Sequence, residues 1–287
     1  MKYIDLHVHS NVSDGTLTPK EVVEKAVKMN LAAFALTDHD TVMRISEALN
    51  AVKEYQNNGI DLELIPGVEI SVAYKSKDIH MLGLFLDYQN ETLISELQAV
   101  VNDRENRNIK MIANLQNAGI DITLEKLVES EGDSIITRAH FAKYLLEHSY
   151  VKSREEAFKK YLGEDGPYYV PRKFITPEKG IELIKAAGGI PVLAHPLLYK
   201  LPPKELDSLI SRLKNAGLVG IETIYSANVD FDESYVRKLA NKYDLLITGG
   251  SDFHGANKPL IEMGIGKGNL RIPYSILEKL KEYLTNK

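Results

Sequence analysis

The chain of 287 residues contains no cysteine and no tryptophan. Without thiols there is no disulfide framework, no thiolate nucleophile and no cysteine-held zinc, so any metal would rest on imidazole and carboxylate. No apolar run approaches the roughly 18 residues that a membrane span needs, which argues against a membrane protein. Positive charge is in short supply as well. The formal net charge of −5 disfavours a broad basic surface for duplex DNA but leaves room for a local cationic site. A strand pattern begins by the third residue, too early for a signal peptide, so the expected compartment is the cytoplasm.

What is present is a chain 44% hydrophobic and 26% charged, enough for a large core. Strand-like segments at about 3–7, 33–37, 63–69, 79–86, 190–194, 219–223 and 245–248 alternate with amphipathic helices. Thr18-Pro19-Lys20-Glu21 and Thr176-Pro177-Glu178-Lys179 open two of these helices, each with a threonine N-cap and proline in the first turn. Such alternation predicts parallel strands joined by helical crossovers and closed, or nearly closed, into an α/β barrel. Residues 103–171 break the rhythm, being helical, charged and without a clear strand. They read as a helical cap inserted between barrel parts 1–102 and 172–287. Within the cap, Thr137-Arg138-Ala139-His140 starts a helix after a turn at Glu131-Gly132-Asp133-Ser134.

The side chains that carry chemistry cluster at strand ends. His7 with His9, and Asp252 with His254, are spaced two apart, so each pair shares one face of an extended segment. His39, Glu69 and His195 stand near other strand ends, and Asp14 lies in a loop just past the first pair. His80 follows Glu69 too closely for a crossover helix, which predicts a hairpin between them. Six of the eight histidines thus fall where barrel enzymes place their reactive groups. Six imidazoles and three carboxylates suit Mn2+, Zn2+ or Fe2+ better than Ca2+ or Mg2+, and nine ligands exceed what one ion takes. Several divalent ions against three carboxylates make a positive pocket for an anion such as phosphate, and clustered ions activate water for ester hydrolysis. Asp38 and Asp40 flank His39 as candidates to orient ligand imidazoles.

The set DLHVHS, SDG, LTDHD, GVEIS, His80, AHP and GSDFHG resembles the PHP (polymerase and histidinol phosphatase) superfamily. The resemblance implies a distorted (β/α)7 barrel with a trinuclear centre of three Mn2+ ions, Zn2+ and Fe2+ being the other candidates. His7, His9, Glu69 and Asp252 would hold one ion, and Glu69 would bridge to a second held by His80 and His195. Asp14, His39 and His254 would hold the third. The stretches TRAHFAKYL, YLGEDGPYYVP and ELIKAAGGIPVLAHP are most similar to a subfamily of nucleotide phosphatases that includes the 3',5'-nucleoside bisphosphate phosphatase and the exoribonuclease RNase AM.

In that subfamily a cap arginine grips substrate phosphate, and Arg138 is its counterpart; the plainer reading is a surface or ion-paired arginine. The implied reaction is attack of a metal-bound hydroxide, with no protein nucleophile, on a nucleotide such as adenosine 3',5'-bisphosphate. The terminal phosphodiester of a short 5'-phosphorylated single-stranded RNA is the other candidate substrate. His140 is a candidate phosphate contact or proton donor, or else a capping residue of its helix. Tyr168 and Tyr169 are candidates to stack on a base, or else ordinary packing, and His148 reads as structural. A histidinol-phosphate phosphatase and a non-catalytic metal-binding regulatory domain are the competing functions. Oligomeric state is not legible.

Overall fold

A computed structural model describes residues 2–75, 77–131, 135–163, 166–170 and 175–286. Seven strands hydrogen-bond in sequence order: β1 Ile4–Val8, β2 Ala33–Leu36, β3 Glu63–Tyr74, β4 Lys77–Leu84, β5 Ile190–Leu193, β6 Gly220–Tyr225 and β7 Leu246–Gly250. The last strand returns to the first, where His9 N donates to Phe253 O at 3.0 Å and Asp252 N to His7 O at 2.9 Å. Gly250 makes this seam possible, because a Cβ there would lie 2.2 Å from the Cβ of His7. The result is a distorted, nearly closed barrel.

The helices are α1 Pro19–Lys28, α2 Ile45–Asn57, α3 Glu91–Asn117, α4 Leu124–Glu131, α5 Arg138–Glu147, α6 Arg154–Ala157, α7 Pro177–Ala186, α8 Pro203–Ala216, α9 Asp232–Lys242 and α10 Ser275–Thr285. At α1 the expected capping box forms: Thr18 accepts from Glu21 N, and Glu21 Oε2 accepts from Thr18 N at 2.8 Å. At α7 Thr176 caps through Lys179 N, and a lysine in the third helical position cannot reciprocate. Strand residues such as Phe34 and Leu36 pack with the helices that cover the barrel, whereas Ile4, Leu6 and Leu82 pack with Leu277 and Leu280 of α10.

The hairpin expected between Glu69 and His80 forms, and it gives the sheet its one strand that is not parallel to its neighbours. β4 runs antiparallel to both β3 and β5. The link after β3 is too short for a helical crossover, so the chain can only reverse, with Tyr74 facing Lys77 at the tip. For the same reason β3 continues past Glu69 to Tyr74 instead of ending there. Residue 103 lies inside α3, which runs unbroken from Glu91 to Asn117. Beyond it Met111, Leu115, Phe141, Leu145 and Leu162 form a separate apolar cluster in the cap. The cap turn at 132–134 and residues 164, 165 and 171 of the cap motif lie outside the described residues. No helix among the described residues is long and apolar enough to cross a membrane.

Candidate metal centre

The strand ends deliver all nine expected ligands to one end of the barrel. His7 is in β1 and His9 just beyond it, His39 pairs with Glu69 across β2 and β3, and His80 sits opposite Ser71 in the hairpin. His195 follows β5, and Asp252 and His254 follow β7. Asp252 and His195 have φ of 58° and 21°, in a region that costs a non-glycine residue energy and is held only where the surroundings impose it. Gly15 lets the loop carrying Asp14 turn tightly, since a Cβ there would lie 2.6 Å from His9 O.

The donor atoms fall into overlapping groups. His7 Nε2 and His9 Nε2 each lie 3.1 Å from Glu69 Oε2, and 3.7 and 3.5 Å from Asp252 Oδ1. The other carboxylate oxygen, Glu69 Oε1, is 2.8 Å from His80 Nδ1 and 2.9 Å from His195 Nε2. His254 Nε2 stands 3.1 Å from Asp14 Oδ1, and His39 Nε2 3.8 Å from Asp14 Oδ2. His9 and His39 lie between groups, His9 Nδ1 being 3.8 Å from Asp14 and His39 Nδ1 3.3 Å from Glu69.

These groups fit divalent cations. His7 Nε2, His9 Nε2, His39 Nδ1 and Glu69 Oε2 are buried without a hydrogen-bond partner although they face one another. Buried polar atoms that converge without well-formed hydrogen bonds are costly unless a proton or a metal cation satisfies them. Burial, then neighbouring His254, pushes His9 down to about 3, and burial pushes His39 down to about 4, so both are neutral donors near pH 7. Burial opposes charge on Glu69, Asp14 and Asp252, but the surrounding cationic groups outweigh it and hold all three well below the usual carboxylate range. His7 is also disfavoured by burial, yet Glu69, Glu222 and Asp252 raise it well above the usual value. His80 is raised as well, Glu69 outweighing its burial.

An outer layer aims these side chains. Glu222 Oε1 lies 3.0 Å from His7 Nδ1, while its other oxygen accepts from His195 N at 2.8 Å. Tyr199 OH donates to Ala194 O at 2.6 Å and accepts from His80 N at 3.1 Å. Asp252 Oδ2 accepts from Tyr225 OH at 2.7 Å and from Lys258 Nζ at 2.6 Å. Asp38 accepts from Ser10 Oγ and Ser13 Oγ, both at 2.6 Å, and so shapes the loop that carries Asp14. Asp40 accepts from Ser71 N at 2.7 Å and from Arg104. The carboxylate that meets the far nitrogen of His7, Nδ1, is therefore Glu222, which sequence reading passed over. Its signal was a lone acid inside the buried run Gly220–Tyr225.

The cap reaches the centre through α5. Thr137 Oγ1 donates to Asp14 Oδ2 at 3.2 Å. Arg138 Nη2 donates to Asp78 Oδ2 at 2.9 Å, two residues before His80, and its guanidinium lies 5.5 Å from the Tyr169 ring. His140 completes the capping box of α5, its Nδ1 accepting from Thr137 N at 3.0 Å. Tyr168 stacks on Tyr161 at 5.7 Å, and His148 stacks on Tyr144 at 3.9 Å. Arg154 of α6 donates to the backbone and side-chain oxygens of Asn257, whose Nδ2 donates to Asp14 O at 2.9 Å. A cavity of about 540 Å³ lies between α3, the loop after His39 and the cap, with Met43, Ile109, Leu124 and Val128 among its walls and Arg104 and Asn108 at its side.

Comparison with known proteins agrees with this geometry. The 5'-3' exoribonuclease Rnm of Escherichia coli K12 is 36% identical over 261 residues, covering 91% of this chain and 87% of that protein. The 3',5'-nucleoside bisphosphate phosphatase of Chromobacterium violaceum is 35% identical over 256 residues, 88% of each chain. The solved structure of an amidohydrolase from Chromobacterium violaceum, with bound sulfate and no metal, superposes with a TM-score of 0.88 at 31% identity, covering 98% of this chain and 96% of that one. A family model described as the PHP domain matches residues 5–169, more than half of the sequence, and the chain belongs to that family.

Proposed function

We propose that this chain hydrolyses nucleotide phosphate esters, namely 3',5'-nucleoside bisphosphates and short 5'-phosphorylated RNA from the 5' end. The observation that carries this reading is the convergence of unpartnered imidazole nitrogens on Glu69, beside a cap whose helix α5 presents an arginine. The similar proteins are named as a phosphatase and an exoribonuclease, both hydrolases of phosphoester bonds.

His7, His9, Glu69 and Asp252 would hold one divalent ion, and Glu69, His80 and His195 a second. Asp14, His39 and His254 would hold a third, Mn2+ being the ion we favour. Bound there, such ions supply an activated water and the positive charge that a phosphoryl group needs as it transfers. Glu222 keeps His7 turned toward the centre, and Tyr199 holds the His80 and Ala194 backbones in place. Arg138, held between Asp78 and Tyr169, grips the substrate phosphate in exchange for the Asp78 carboxylate. His140 fixes the start of α5 so that Thr137 and Arg138 stand over the centre. Tyr168 and Tyr169 offer flat faces, and the largely apolar cavity suits a nucleobase better than the charged chain of an amino alcohol phosphate.

The test is phosphate release by the metal-loaded protein from adenosine 3',5'-bisphosphate, 5'-phosphorylated RNA oligomers and histidinol phosphate. The expected kcat/KM is higher for the bisphosphate than for histidinol phosphate by more than about tenfold, the scale of one lost polar contact. The reverse order would install the histidinol-phosphate reading. Metal uptake without hydrolysis of any of these would leave a regulatory domain, and full turnover after exhaustive chelation would end the metal-dependent reading.

A further inference from the structure

We infer that Lys258 is a second cationic anchor for the substrate phosphoryl group, facing the metal centre from the β7 side while Arg138 faces it from the β4 side. The inference rests on the phosphoester reading above. β4 and β7 stand three strands apart in a seven-stranded barrel, so the two cations approach from different walls. Each is held by a carboxylate close to a ligand: Arg138 by Asp78, two residues before His80, and Lys258 by the ligand Asp252 itself.

Asp252 divides its oxygens. Oδ2 accepts from both Tyr225 OH and Lys258 Nζ, at 2.7 and 2.6 Å, which leaves Oδ1 as the oxygen turned to His7 and His9. Tyr225 gives Oδ2 a second donor, so the carboxylate keeps one hydrogen bond when the ammonium turns to another anion. Lys258 is 36% exposed along its side chain whereas Asp252 is 5% exposed, so the ammonium reaches in from the solvent side of the centre. The pair is buried at its Asp252 end and open at its lysine end, so the ammonium steadies the carboxylate and stays within reach of an anion entering from solvent.

The segment bearing Lys258 is also fixed. Ala256 N donates to Thr16 Oγ1 at 2.9 Å, and Asn257 ties to Asp14 on one side and to Arg154 of the cap on the other. A lysine on a firm backbone keeps a flexible stem and a point charge, so its ammonium can pass from carboxylate to phosphate oxygen with small movement. A cation drawing on Oδ1 weakens the hold of Asp252 on the ammonium and favours that exchange.

The experiment compares the full-length metal-loaded protein with Lys258→Gln and Lys258→Arg. It reads metal per chain by elemental analysis, binding of inorganic phosphate by calorimetry, and kcat and KM on p-nitrophenyl phosphate. Lys258→Gln is expected to keep the parent's metal content, to weaken phosphate binding and to raise KM, each by about tenfold or more, as for loss of one charge-assisted hydrogen bond. Lys258→Arg should recover most of both. Metal content that falls while the loaded fraction binds phosphate normally would overturn the inference and make Lys258 a support for Asp252 alone. Unchanged phosphate binding and KM would make it an idle surface charge. If the parent cleaves no nucleotide but Lys258→Gln still loses phosphate, the nucleotide reading falls and the anchor stands.

Discussion

Glu69 concentrates the chemistry of the centre in one side chain, because its two oxygens face two different groups of imidazoles and no other residue reaches both so closely among the described residues. The residues that the fold gathers at the centre were legible in sequence for a compositional reason. Histidine is scarce here, eight in the chain, and six of them stood beside strand ends. Glu222, Tyr225 and Lys258 were not legible, because the chain has 40 acidic and 15 tyrosine residues and only barrel closure shows which of them face the centre. Arg138 was read with two meanings, and the structure supplies the ion pair with Asp78. At this scale Arg138→Ala is expected to raise KM for a phosphate ester by about tenfold or more while metal per chain stays at the parent value. A parallel fall in metal content would show that the arginine serves the centre's architecture instead.

Among the elements, helix starts were the most readable, since a threonine cap followed by proline dictates local geometry without help from the rest of the fold. Strand direction was less so. Nothing within β4 itself states that it runs backwards; that follows from the length of the link before it, which also carries β3 five residues past Glu69. The unbroken run of α3 through residue 103 was hidden for a similar reason, because a helix can leave one core and enter another without any change in its own pattern. The seam between β1 and β7 depends on the missing side chain at residue 250. Gly250→Ala would force β7 away from His7, and overpacking of this kind costs about 1–3 kcal/mol. The expected outcome is a lower melting temperature together with weaker metal uptake, measured by calorimetry. Normal metal affinity in a merely destabilised variant would separate the seam from the site.

For the molecule as a whole, stability and metal loading are linked through protons. In the metal-free protein His7 and His80 titrate above their unfolded value of about 6.5. Their contribution is complete below that pH and is lost as pH rises through the folded values, since the native state then binds more protons than the unfolded one. His9 and His39 act in the opposite sense, with stability lost as pH falls from about 6.5 toward their folded values of about 3 and about 4. Metal-free protein should therefore be most stable near pH 6.5 and weaken toward pH 8. Mn2+, which needs neutral imidazoles, should raise the melting temperature more at pH 8 than at pH 6. A metal-induced increment that is flat or larger at pH 6 would contradict this balance.

The grip of the cap on Asp14 couples two events that would otherwise be independent. Thr137 holds the carboxylate, and Asn257, itself clasped by Arg154, holds the carbonyl of the same residue. Any opening of the roof would therefore tug on a proposed coordination position, and an ion seated there would hold the roof shut. Small-angle scattering should accordingly find the stripped protein more expanded than the loaded one, and equal profiles would break the link.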